Sequence, residues 1–196
     1  MSLHADAVRV LAGWAPPDSV QIDLRAAYLD HLERHPAGLA RSCVPDHLTA
    51  SALVVSDDHR RVLLTLHARI GRWLQTGGHC EDDVSLAAAA LREAAEESGI
   101  SGLEIVPQPV LLSRHEVACG PVRPACHLDV QYVCVAPPGA RLTCSTESAD
   151  LAWFDVDALP AGTDRSVREL VRSALERLAQ ASPSPSSSAA AVTPSR

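Results

Sequence analysis

The sequence predicts a single α/β domain, a mixed β-sheet held between helical layers, with an N-terminal helical extension. Three observations carry this. At 196 residues the chain is long enough for one core of ordinary size. Hydrophobic residues make up 46% of it but aromatics only 3%, so the core has to be built from Ala, Val, Leu and Ile. The apolar periodicity is helical at the start, alternating next, helical once in the middle, alternating again, and helical at the end, which is the order of a sheet flanked by helices.

Residues 1–44 form the helical extension. Within it, "DSVQIDLRAAYLDHLERHP" opens on a capping Asp18 or Ser19 and carries Ile22, Leu24, Ala27, Tyr28 and Leu32 at helical spacing. It stops before Pro36. The domain proper runs over 45–180. "LTASALVVSDDHRRVLLTLHA" reads as two strands, 48–55 and 61–67, around a polar turn at Asp57-Asp58. "GRWLQTGGHC" is a short strand running into a glycine pair, and residues 85–98 are a helix. Strands follow at 103–106, 109–118, 127–136 and 151–155. "DRSVRELVRSALERLAQ" closes the domain as an amphipathic helix with Val167, Leu170, Val171, Ala174, Leu175 and Leu178 on one side. The tail 181–196, "ASPSPSSSAAAVTPSR", has too few apolar groups to offset its ordering entropy and reads as disordered.

Net charge is −7, and all 17 basic residues are arginines. That balance argues against wholesale binding of nucleic acid or an acidic membrane, both of which need a basic footprint. It leaves room for a small phosphorylated ligand, because a bound metal ion reverses the local sign. The start "MSLHADAVRV" lacks a basic region followed by an apolar run. No stretch approaches the ~18 apolar residues of a membrane span, so the expectation is a cytoplasmic protein. The six cysteines, Cys43, Cys80, Cys119, Cys126, Cys134 and Cys144, form no CxxC pair and read as small buried thiols. The scattered Cys and His residues also lack the close ligand spacing of a zinc site.

The stretch with the clearest chemistry is "REAAEESGI", residues 92–100. On a helical wheel Glu93, Glu96 and Glu97 share a face, opposite the small apolar Ala87, Ala88, Leu91, Ala94 and Ala95. Like charges at this spacing repel. Either they form a solvated acidic surface, or they make an oxygen pocket for a hard cation such as Mg²⁺ that also binds phosphate oxygens. Gly99 is placed to end the helix in the left-handed conformation, with Ile100 turning back into the core.

The wider segment "GGHCEDDVSLAAAALREAAEESGI", Gly77 to Ile100, resembles the Nudix box, Gly-x5-Glu-x7-Arg-Glu-apolar-x-Glu-Glu-x-Gly-apolar. Gly78 stands at the first Gly. Arg92, Glu93, Ala94, Glu96, Glu97, Gly99 and Ile100 follow in register. Val84 stands where the family has its first Glu, with Asp83 and Glu81 as nearby carboxylates. The looser resemblance extends from about His47 to Leu178. It implies a Nudix-like α/β/α sandwich and a Mg²⁺- or Mn²⁺-dependent hydrolase that cuts the P–O–P bridge of a nucleoside diphosphate linked to another group. By position it implies Glu93, Glu96, Glu97 and the Gly77 carbonyl as metal ligands, Arg92 as the tether of a glutamate, and Glu96 and Glu97 in the catalytic set. The resemblance also implies a base outside the box, with Glu147, in "STESADLAWF", or Glu116, in "SRHEV", as the candidates.

Other residues complete the candidate site. His127 and Asp129, two apart on a strand, share a face and can touch substrate or bond to each other. Arg69 and Arg72 precede the glycine pair and can meet a substrate phosphate, or lie at the surface. His79 reads as loop, Cys80 as a buried thiol, and Trp73 and Trp153 as packing residues. The partner so defined is a small nucleotide-like substrate, with no nucleic acid and no membrane, and the N-terminal helices are candidates for a lid or a homodimer contact. A Nudix-fold ligand sensor without turnover is the rival reading, favoured by Val84. An isomerase of the isopentenyl diphosphate type would need a strand-borne catalytic cysteine outside the box, and no motif here supplies one.

Overall fold

A computed structural model describes residues 1–80, 82–117, 122–143 and 148–181. The described residues form α1 (Leu3–Gly13), α2 (Ser19–Arg34), β1 (His47–Val55), β2 (Arg61–His67), β3 (Trp73–Leu74), β4 (Thr76–His79), α3 (Leu86–Ser98), β5 (Glu104–Ile105), β6 (Leu111–Val117), β7 (Ala125–Val135), β8 (Ser148–Asp155) and α4 (Arg165–Ala181). The tail read as disordered lies, from residue 182 on, outside the described residues.

All eight strands join one mixed sheet. Its centre is the parallel pair β1–β7, in register from His47 opposite His127 to Val55 opposite Val135. On its other side β1 is shared between two antiparallel partners. β4 takes the first half, Thr49 opposite His79 through Ala52 opposite Thr76, and β2 takes the end, Val54 opposite Leu63. β6 lies antiparallel along β7, and β8 along β2. The strand expected over "GRWLQTGGHC" is therefore two strands. Trp73–Leu74 pairs with β2, Thr76–His79 pairs with β1, and Gln75 stands at the switch.

Alternation along β1 and β7 sorts side chains to two faces. Leu48, Ala50, Ala52, Leu128, Val130 and Tyr132 face a core shared with α1, α2 and α3. Leu53, Val55 and Val133 face the other way and pack with Val167, Leu170, Val171 and Ala174 of α4. Before they reach α4, the strands carry polar residues on that second face: His47, Thr49 and Ser51 on β1, and His127, Asp129 and Gln131 on β7.

The N-terminal helices are part of this construction. Ala7, Leu11, Trp14, Tyr28 and Leu32 sit in the same apolar cluster as the sheet. Asp18 caps α2, accepting from the Gln21 N–H at 2.9 Å. The apolar pattern expected for α2 is corrected at two places: Ala27 is exposed, and Ile22 is 48% exposed with Gln21 buried beside it. Gln21 Nε2 donates to the Leu112 carbonyl at 3.0 Å, and its Oε1 accepts the Leu112 N–H at 2.7 Å. A side-chain amide thus stands in for the next strand and closes the outer edge of β6.

Candidate functional site

The helix α3 begins on Ser85, whose side chain accepts the Ala88 N–H. A carboxylate also reaches it from α1, where buried Asp6 accepts the Leu86 N–H at 3.0 Å. Gly99 ends the helix at φ +67°, and an added Cβ there would come within 2.6 Å of Thr143. Ile100 is buried behind it. The start and stop of this helix follow the sequence expectation.

Its orientation does not follow the wheel. The fully buried positions are Leu86, Ala89, Ala90, Ala94 and Ser98, whereas Ala87, Ala88, Leu91 and Ala95 are only partly buried. Leu86, Ala89 and Ala90 lie on the same side as Glu93 and Glu97, so these two glutamates lean onto the sheet. Only Glu96 points out, at 61% exposure against 17% for Glu93. The glycine pair of β4 makes this approach feasible. A Cβ on Gly78 would lie 2.6 Å from the Glu93 carboxylate, and one on Gly77 would lie 2.3 Å from the Ser51 Cβ. The Gly77 N–H donates to Glu97 Oε1 at 2.8 Å. Repulsion between the carboxylates is offset by backbone dipoles and by one cation.

That cation is Arg92. Its Nη1 donates to Glu93 Oε1 and Glu96 Oε2, both at 3.0 Å. Its Nε and Nη2 donate to Asp83 Oδ2 at 3.1 and 2.9 Å, and Nη2 also reaches the His79 carbonyl at 2.9 Å. The hydrogen bonds to Asp83 are the largest reason that the guanidinium pKa is raised above its ordinary value. Val84 is 76% exposed. Asp83, one residue earlier, supplies the carboxylate that the sequence pattern lacks. Glu81 lies outside the described residues.

The remaining candidates spread across the sheet. Arg72 is held by both oxygens of Asp164, at 2.9 and 3.0 Å, near the start of α4. Arg69 is exposed in the turn between β2 and β3. Glu147 lies outside the described residues. Glu116, on β6, lines a surface cavity of about 410 Å³ with Pro45, Asp46, Arg114, Pro124 and Cys126. Three inter-strand steps separate β6 from β4, about 14 Å at ordinary sheet spacing, so the structure does not bring Glu116 to the glutamates of α3. Cys80 is fully buried, and burial pushes its thiol up to about 12. Trp73 packs edge-on against Phe154, and the Arg61 guanidinium lies over the Trp153 ring.

Asp129 does not bond to His127. Its buried carboxylate accepts from Thr49 Oγ1 at 3.0 Å, Ser51 Oγ at 2.6 Å and Gln131 Nε2 at 3.2 Å. This polar layer lies behind Gly77. His127 faces three other imidazoles: His47 at 4.9 Å, His79 at 5.3 Å and His115 at 5.6 Å between ring centres. Burial, and then the neighbouring histidines, pull its pKa down to about 3. His79, read from the sequence as loop, is the last residue of β4. The sequence reading missed this histidine cluster because its members lie on four strands far apart in the chain. The one available signal was the alternation of polar residues in "HLTAS" and "CHLDVQ".

A mixed sheet carrying a glycine pair, faced by a helix whose inward carboxylates are pinned by an arginine, is the arrangement of a class of hydrolases that act on phosphate anhydrides. The sequence matches the NUDIX domain over residues 45–174, and the chain belongs to that family of hydrolases. Solved structures agree in fold. A Nudix-family hydrolase from Clostridium perfringens is 22% identical with a TM-score of 0.57, covering 67% of this chain and 97% of its own. A MutT Nudix hydrolase from Burkholderia pseudomallei is 23% identical with a TM-score of 0.53, covering 65% and 97%. A UDP-X diphosphatase is 16% identical with a TM-score of 0.51 but covers 89% of this chain and 91% of its own. No curated protein matches the chain in sequence.

Proposed function

We propose that the protein is a Mg²⁺- or Mn²⁺-dependent pyrophosphohydrolase acting on a nucleoside diphosphate linked to another group, a small nucleotide-like substrate, in the cytoplasm. The observation that carries this is the approach of Glu93 and Glu97 to Gly77–Gly78, with Arg92 fixing Glu93 and Glu96. The donor set is all oxygen, carboxylates plus the Gly77 carbonyl, and it fits a hard divalent cation. When bound, such an ion polarises the phosphoryl oxygen and lowers the pKa of attacking water.

The chain's own residues prepare that site. Arg92 holds the glutamate rotamers before substrate arrives, so ordering them costs little at binding. The Gly77 N–H keeps one Glu97 oxygen in place. Asp129 fixes the Thr49 and Ser51 hydroxyls as a polar floor behind the glycines, and His127 borders that floor. Arg69 is free to swing toward a phosphate, while Arg72 does so only by leaving Asp164. Glu147, which precedes β8, is our candidate for the base outside the box.

A panel of nucleoside diphosphate derivatives, assayed for the nucleoside monophosphate and the phosphorylated co-product with Mg²⁺ and with Mn²⁺, tests this reading. Turnover that falls at least about 100-fold in Glu97→Gln supports it. No turnover on any nucleotide, or equal turnover in the variant, overturns it. The second reading, a ligand sensor without turnover, rests on Val84 and would show as metal and nucleotide binding with no product.

A further inference from the structure

Three histidines meet behind the glycine strand. His47 opens β1, His79 closes β4, and His127 lies opposite His47 on β7. Each offers a ring nitrogen within 4.8 Å of the other two. His47 is 2% exposed, and its Nδ1 lies 3.1 Å from the Cys43 carbonyl. A carbonyl only accepts, so Nδ1 carries the proton and Nε2 presents a lone pair to the cluster. The Nε2 atoms of His47 and His127 are buried with no hydrogen-bond partner, and such a group costs free energy if left so. One Lewis acid among the three rings satisfies both atoms.

We infer that His47, His79 and His127 form a site for one transition-metal ion of the Zn²⁺ class, separate from the glutamate site. Imidazole nitrogen selects such ions over Mg²⁺. Zn–N bonds of about 2.0–2.1 Å hold ligand nitrogens about 3.4 Å apart, so small side-chain rotations close the present spacing. The Cys43 carbonyl orients His47 from behind, as outer partners of histidine ligands do. His115, whose ring centre lies 5.6 Å from that of His127, is a further imidazole beside the cluster. The two sites lie on opposite faces of β4: Gly78 faces Glu93, and its neighbour His79 points the other way. An ion here would clip β1, β4 and β7 together, holding the glycine strand against which the glutamates rest.

The full chain, stripped with EDTA and returned to buffer with excess Mg²⁺, should take up one equivalent of Co²⁺ and show the visible bands of a four-coordinate ion. Zn²⁺ should displace it and raise the melting temperature. Uptake should vanish in folded His127→Gln and His79→Gln, and persist in Glu93→Gln and Glu97→Gln, whether or not the protein hydrolyses any nucleotide. No saturable uptake by the wild-type chain under excess Mg²⁺ overturns the site, without reference to any variant. So does uptake that survives both histidine substitutions, or that disappears with the glutamates and remains with the histidines.

Discussion

Asp83 and Val84 show how one residue of chain shift can keep a contact. The Nudix pattern asks for a carboxylate at 84, and here that position carries an apolar side chain facing solvent. The Arg92 guanidinium is nevertheless anchored, because Asp83 reaches it with one oxygen shared between Nε and Nη2. Asp83→Asn should lower kcat/KM by about 10-fold, the usual scale for a partner that orients a metal-ligand set. Val84→Ala should leave it unchanged. Steady-state kinetics on the two variants checks this, and the reverse ranking would mean that Asp83 does not stand in. The sequence named both residues, but only the structure shows which of them meets Arg92.

At the scale of elements, the edge of β6 depends on a helix. Leu112 would present an unpaired N–H and C=O on its outer side, and Gln21 of α2 satisfies both. Gln21→Ala leaves two buried backbone groups without partners and should destabilise the fold by about 2–4 kcal/mol. Urea unfolding measures this, and a loss below about 0.5 kcal/mol would mean water replaces the amide freely. The pattern of α2 did not reveal this, because apolar periodicity selects Ile22 for burial and cannot register a polar side chain paired with a strand remote in the chain. The same blindness affected α3. Its wheel turned the glutamates away from the core, yet the helix leans with Glu93 and Glu97 inward beside Ala89 and Ala90, because Gly78 leaves room for the Glu93 carboxylate where a side chain would not.

For the molecule as a whole, the N-terminal helices and the histidine cluster make two separate predictions. Leu11, Trp14, Tyr28 and Leu32 are buried in the sheet's own core. At about 1.5–3 kcal/mol for each side chain, removing residues 1–44 strips away about 6 kcal/mol or more, against a typical total of about 5–15 kcal/mol. The truncated chain should lose its cooperative melt in circular dichroism. The second prediction concerns acid. The unfolded chain protonates His127 near pH 6.5, its ordinary value, whereas the folded chain does so only near pH 3. Above 6.5 neither state holds that proton. As pH falls from 6.5 toward 3, the unfolded state gains one that the folded state does not, so stability is lost across that window. In EDTA, urea midpoints should fall through this range, and His127→Gln should flatten the slope.

Read by itself, the sequence determined the fold class, the central helix with its stop, and the spaced motif by which this chain resembles the Nudix family it belongs to. Those features are local: periodicity, a glycine and a spaced motif all act within a few turns of chain. Tertiary structure decided which way α3 faces, which carboxylate holds Arg92, how α2 closes the β6 edge, and that His47, His79 and His127 share one place. Each of these depends on strand register, and register is set by side chains that pack together from distant parts of the chain.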